Sequence, residues 1–302
     1  PLALIEPFIP LSDLVISGTL SGEVDANVKL DSSIEIASLT GQFGIDELRI
    51  EQNEEHVNFD TAKLRLNKST SDKLVGVTLN LNSIDTGADI NADLGIAANL
   101  SQPSIEGKIT ANLDDLSIIQ TFTNQVAQID GSLNAQATLD TRNQQLLITP
   151  NATVKIANAL IGRTGTSISD TVISVSGRPS SSELQIKGRG NVGDGPFDLN
   201  GDFDLQGFTG QLALTGDSLV VMDSPRIRLI ASPDLNLNIG ENVIELTGEV
   251  NIPNANITPP DLSSTVTPSP DVVVVQRQQG NTQSRSLKTD LKITLGDDVR
   301  VD

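Results

Sequence analysis

One imidazole is the first candidate for chemistry. His56 follows Glu54 and Glu55 and precedes Asp60. Carboxylates around one His make a metal site only where further ligands converge, and this spacing offers no second nitrogen or sulfur donor. His56 reads as part of a solvated loop. The run Gly193-Asp194-Gly195-Pro196-Phe197-Asp198 is similar in composition to the turns that bind calcium in nonapeptide β-rolls. Those turns work in tandem because neighbours share each ion. This one stands alone with Pro196 inside it, and reads as a hairpin turn. The chain has no Cys, which removes thiolate nucleophiles, thiolate metal sites and disulfides. It also lacks a Gly-x-Ser-x-Gly elbow, a phosphate-cradling loop and a dinucleotide fingerprint. The remaining carboxylates fall on polar positions, where solubility accounts for them. The residues point to no enzyme, no metal and no cofactor.

What could act is a surface rather than a group of side chains. Period-two alternation recurs from end to end. Val75, Val77, Leu79 and Leu81 are interleaved with Gly76, Thr78 and Asn80. Ile90, Leu94 and Ile96 alternate with Asn91, Asp93 and Gly95, and Ile105 and Ile109 enclose Glu106 and Lys108. Leu133 and Leu139 bound a fourth such run. Leu235, Leu237 and Ile239 alternate with Asn236 and Asn238, and Ile244, Leu246, Val250 and Ile252 with Glu245, Glu249 and Asn251. Alternation gives each strand one apolar and one wet face. These residues are the candidate lining of an apolar groove. Turn signals such as Gly240-Glu241-Asn242 separate the runs at hairpin spacing, which predicts roughly 20 strands.

Two segments depart from the pattern. Leu2 to Ile9 and Leu113 to Ala127 have helical spacing, with Leu116, Ile119, Phe122 and Val126 on one helix face. Each leads into a similar strand: Ile16, Gly18 and Leu20 recur as Ile129, Gly131 and Leu133. The expected organisation is a first helix-plus-strands repeat over 1–112 and a second over 113–258. A Pro-, Ser- and Gln-rich loop over 259–283, with one short strand at its valines, and further strands over 284–302 complete it. The chain begins at Pro1 and stops inside a strand-like run, so it reads as an excerpt of something longer.

The apolar content is 37% of residues but aromatics are only 2%. A closed sandwich recruits aromatics for bulk, so a small aliphatic face suits acyl chains better than jigsaw packing. The formal charge of −19 argues against nucleic acid and against an anionic membrane surface. It keeps the chain soluble and monomeric.

The C-terminal third carries a specific likeness. Ser232-Pro233-Asp234-Leu235 leads through Val243-Ile244-Glu245-Leu246 to Val250-Asn251-Ile252-Pro253, and the run ends Leu295-Gly296-Asp297-Asp298-Val299. This series resembles the C-terminal region of the TamB family of the translocation and assembly module, strongly from Gly210 to Asp302. Residues 1–209 match as a looser version of the family's repeat. The resemblance implies an all-β fold: a long curved sheet, shaped like a taco, with an apolar concave face and one or two short helices. It implies the periplasm, an inner-membrane tether and contact with the outer-membrane barrel TamA, both through segments outside this chain. It also implies a role in autotransporter assembly and phospholipid transfer, with acyl chains or assembling barrel strands as cargo. About 20 strands spaced about 4.8 Å would span about 100 Å. The competing reading is a β-helical adhesin or surface passenger, for which no short rung period is visible.

Overall fold

The computed structural model describes residues 15–30, 34–52, 55–68, 73–97, 104–123, 125–142, 145–179, 181–259 and 286–301. The segment 2–9 and the loop 259–283, apart from residue 259, lie outside them.

Alternating sequence folds here as one sheet, because every strand has an apolar face to share and a hairpin turn to reach its neighbour. The first strands are β1 (Val15–Leu30), β2 (Ile34–Gln52), β3 (Glu55–Phe59), β4 (Thr61–Lys68), β5 (Leu74–Ser83), β6 (Ala88–Ala97) and β7 (Ile105–Leu113). A short helix, α1 (Ile118–Phe122), precedes β8 (Val126–Arg142) and β9 (Gln145–Ile161). Then follow β10 (Thr166–Gly177), β11 (Glu183–Val192), β12 (Gly195–Asp204), β13 (Thr209–Gly216) and β14 (Leu219–Ser224). The last are β15 (Ile227–Ile239), β16 (Val243–Ile257) and β17 (Ser286–Val301). The fold is all-β, one large open curved sheet with almost no helix.

All pairings are antiparallel between near neighbours in sequence, except that β17 runs parallel to β16. A parallel partner needs a long crossover, and the stretch between Ile257 and Ser286 supplies its length. On the polar face Lys292 Nζ meets Glu249 Oε1 at 3.0 Å and Lys288 meets Glu245 at 3.6 Å. Such exposed pairs contribute only about 0–1 kcal/mol each. They help fix register rather than hold the strand. A β-helix would stack parallel rungs, so this meander excludes the passenger architecture.

The described residues form 17 strands rather than the roughly 20 expected. Part of the difference is length, since β1, β2, β8 and β9 take 16 to 19 residues each, and the short strand expected at the valines of 272–275 lies outside the described residues. Two short strands share rows with others. β3 and β4 both pair with β2, and β13 and β14 both pair with β15. The described part of the sheet is therefore fifteen strands wide, about 67 Å at about 4.8 Å per step.

Long strands must bend to follow the curve. Register shifts interrupt β1–β2, β8–β9, β15–β16 and β16–β17. Each such bulge adds a residue on one strand and increases the local bend. The shorter β4–β7 pair without interruption.

Short strands leave notches in the sheet, and two elements fill them. α1 lies between β3 and β8, with Ile118 packed on the cluster of Leu48, Val57, Phe59 and Ala62. The helical spacing over 113–127 yields only the five residues of α1, because Leu113 is drawn into β7 opposite Leu133, and Val126 starts β8 opposite Ile161. Its apolar residues still converge: Leu116 packs with Ile129 and Ala159, joined by Ile119 and Val126. β14 fills the second notch. It pairs with β15 on one side, while on the other Asp223 N donates to Thr164 O at 2.8 Å and Thr166 Oγ1 donates to Val221 O at 2.8 Å. Gly165 makes this approach possible. Its φ is +69°, and a Cβ there would stand 1.9 Å from Asp223 O.

Candidate functional site

Directly paired residues in antiparallel strands share a face, so the register can be followed across the sheet one strand at a time. One row runs Ala62, Leu81, Ile90, Ala111, Ala135, Ala152, Val175 and Ile186, then Gly201, Leu212, Leu237 and Leu246. It crosses twelve strands without a polar side chain. The row one residue over runs Lys63, Asn80, Asn91, Thr110, Gln136, Asn151 and Ser176, then Gln185, Asp202, Gln211, Asn238 and Glu245. It contains no apolar side chain. Within it Asn80 Nδ2 donates to Asn91 Oδ1 at 2.6 Å.

The alternating residues singled out in the sequence fall on the apolar face together. Val75 stands opposite Ile96, Val77 opposite Leu94, and Leu79 and Leu81 opposite Ala92 and Ile90. Ile105 meets Ile96, and Ile109 meets Ala92. Leu133 and Leu139 meet Leu113 and Gly107. Leu235, Leu237 and Ile239 face Gly248, Leu246 and Ile244, and Val250 faces Pro233. Ile252 lies beside Leu295 of β17. A closed core would bury these residues. Here only Val75 is buried, at 7% exposure, and the rest are half-buried. At the sheet's edges the apolar face is barer still: Leu20 is 67% exposed and Leu287 68%.

Residues that alternation did not select complete the surface. Phe197, Leu214, Leu219, Val221, Leu229 and Ala231 join Leu235, Val250 and Ile252 around a pocket of about 430 Å³ to which no polar atom contributes surface. The missed signal is the glycine spacing. Phe197 is paired with Gly190 on one side and Gly216 on the other, which leaves its ring room on the sheet.

The polar residues weighed for chemistry lie apart. His56 is exposed on β3 opposite Glu51. Gly193 and Asp194 form the tight turn between β11 and β12, with Gly193 at φ +62°. Among the described residues no three metal-ligating side chains cluster, and no helix is long and apolar enough to cross a membrane.

One sheet with a continuous, half-open apolar face defines a trough-shaped all-β protein. A family model described as TamB, N-terminal domain, matches residues 1–149, and one described as the TamB C-terminal domain matches residues 185–302. The chain belongs to the TamB family. That family is a transport and assembly module, periplasmic and anchored in the inner membrane, and it associates with TamA. No solved structure matches the chain.

Proposed function

We propose that this chain is a bridge segment whose apolar face shields phospholipid acyl chains crossing the periplasm toward the outer membrane. In this role it supports outer-membrane protein and autotransporter assembly. The carrying observation is the row from Ala62 to Leu246, apolar across twelve paired strands and, beyond the buried Ala62, only half-buried. Exposing an acyl chain to water costs about 0.8 kcal/mol per CH₂, or about 12 kcal/mol for sixteen carbons. A continuous apolar surface removes much of that cost at every step.

The same physics favours lipid over barrel strands as the cargo of this face. A strand brings backbone N–H and C=O groups, each of which needs a partner once removed from water. The apolar face offers carbon, and its own backbone groups are engaged in the ladders. A strand cargo would find partners along the outer edges of β1 and β17, each of which pairs on one side only among the described residues. Membrane and barrel contacts of the intact protein belong to this proposal through segments outside the chain, and the chain itself acts as a monomer.

Photo-crosslinkers at Leu237 and Leu246 test the reading against Asn236 and Glu245. Lipid adducts from the first pair alone are the expected result, and equal labelling from both pairs overturns it.

A further inference from the structure

The pocket beside β14 differs from the rest of the apolar face, and we propose that it holds a single acyl chain as a resting site within the trough. This rests on the lipid reading above and deepens it. The pocket measures about 430 Å³ and takes its lining from seven consecutive strands, β10 to β16. That volume lies within the range of small-molecule sites, about 300–1,000 Å³. Its room has a definite cause. Gly216 opposite Phe197, Ala231 opposite Leu219, and Gly248 opposite Leu235 place little or nothing where their partners place large side chains. β14 adds the wall. Leu219 and Val221, two positions apart, both line the space by ordinary alternation, while Val220 between them is buried against Gly193.

The lining chemistry selects the occupant. About 14 waters would fill the space at about 30 Å³ each, yet no wall atom could hydrogen-bond to them. A peptide segment would strand its amides in the same way. An aliphatic chain loses nothing on entering. There it is flanked by side chains of seven strands, with Leu219 and Val221 of β14 among them.

The test uses the 302-residue chain, stripped with detergent and loaded from phosphatidylglycerol vesicles. Lipid retained per chain after gel filtration is counted by mass spectrometry, and photo-crosslinkers report from Leu214 in the pocket and Leu79 on the open face. Ala231→Leu fills the pocket from β15. Val221→Phe fills it from β14 at a half-exposed position, where added bulk leaves the fold intact. Circular dichroism confirms folding of each. One retained lipid in the parent chain, reduced at least fivefold in both folded variants while Leu79 still labels under excess lipid, is the expected result. Undiminished retention in a folded variant overturns the site. Lipid at Leu79 with none at Leu214 overturns the pocket and leaves the trough standing. Lipid at neither position overturns both.

Discussion

Leu237 of β15 stands directly opposite Leu246 of β16, and both side chains are only half-buried. That pairing separates a trough from a core. In a closed core Leu237→Arg would bury an unpaired charge at a cost of several kcal/mol. On a half-open face the arginine stem lies along the sheet while its guanidinium reaches water. Leu237→Arg carried in the intact protein should therefore keep β-content and expression near those of the parent while failing to support outer-membrane integrity. Asn236→Arg, on the wet face, should be silent. Circular dichroism, expression level and detergent sensitivity of the strain read the two variants. Collapse of expression with Leu237→Arg would identify a packed core.

Leu116 is the largest fully buried side chain among the described residues, and it locks α1 onto Ile129 and Ala159. A five-residue helix has no stability of its own, so this contact holds the notch closed. Leu116→Ala should destabilise the fold by about 3 kcal/mol. With no Trp or Tyr in the chain, urea melts should be followed by circular dichroism. Hydrogen exchange should quicken first at the amides of Leu116 and Ile119.

Gly165 controls the docking of β14. Ala at that position would force a positive φ on a substituted residue and drive its Cβ into Asp223 O. Gly165→Ala should cost about 1–3 kcal/mol locally and expose the Asp223 amide, which bonds to Thr164 O. Faster exchange at Asp223 without loss of protection in β5 and β6 is the expected signature. Uniform loss would mean that β14 is not an independent element.

Asp204 terminates β12, and its carboxylate accepts the Ser182 hydroxyl and the backbone N–H groups of Gln206 at 3.2 Å and Gly207 at 3.1 Å. These bonds, Ser182's foremost, hold its pKa below the ordinary value near 3.8. A carboxyl with a depressed folded pKa stabilises the fold fully above its unfolded pKa. That contribution disappears as pH falls through the lower folded value. The parent should thus be more stable than Asp204→Asn at pH 6, and the two should converge as the pH drops below about 4. Paired thermal melts across that range check it, and a difference that persists in acid would place the effect elsewhere.

The alternation of Leu235, Asn236, Leu237 and Asn238 was enough to assign faces. Side-chain direction in a strand follows from position parity alone, with no knowledge of a partner. The aliphatic, nearly aromatic-free composition likewise pointed to an open sheet, and the residues from Ser232 to Pro253 pointed to the family. The bends, the notches and the pocket were not legible in that way. Val220 meets Gly193, Asp223 meets Gly165, and Leu116 meets Ala159 only once long and short strands lie side by side. Parity is a property of a single strand. Register shifts and the gaps they leave depend on partners distant in sequence, so only the tertiary structure decided that β14 fills a notch and walls a pocket.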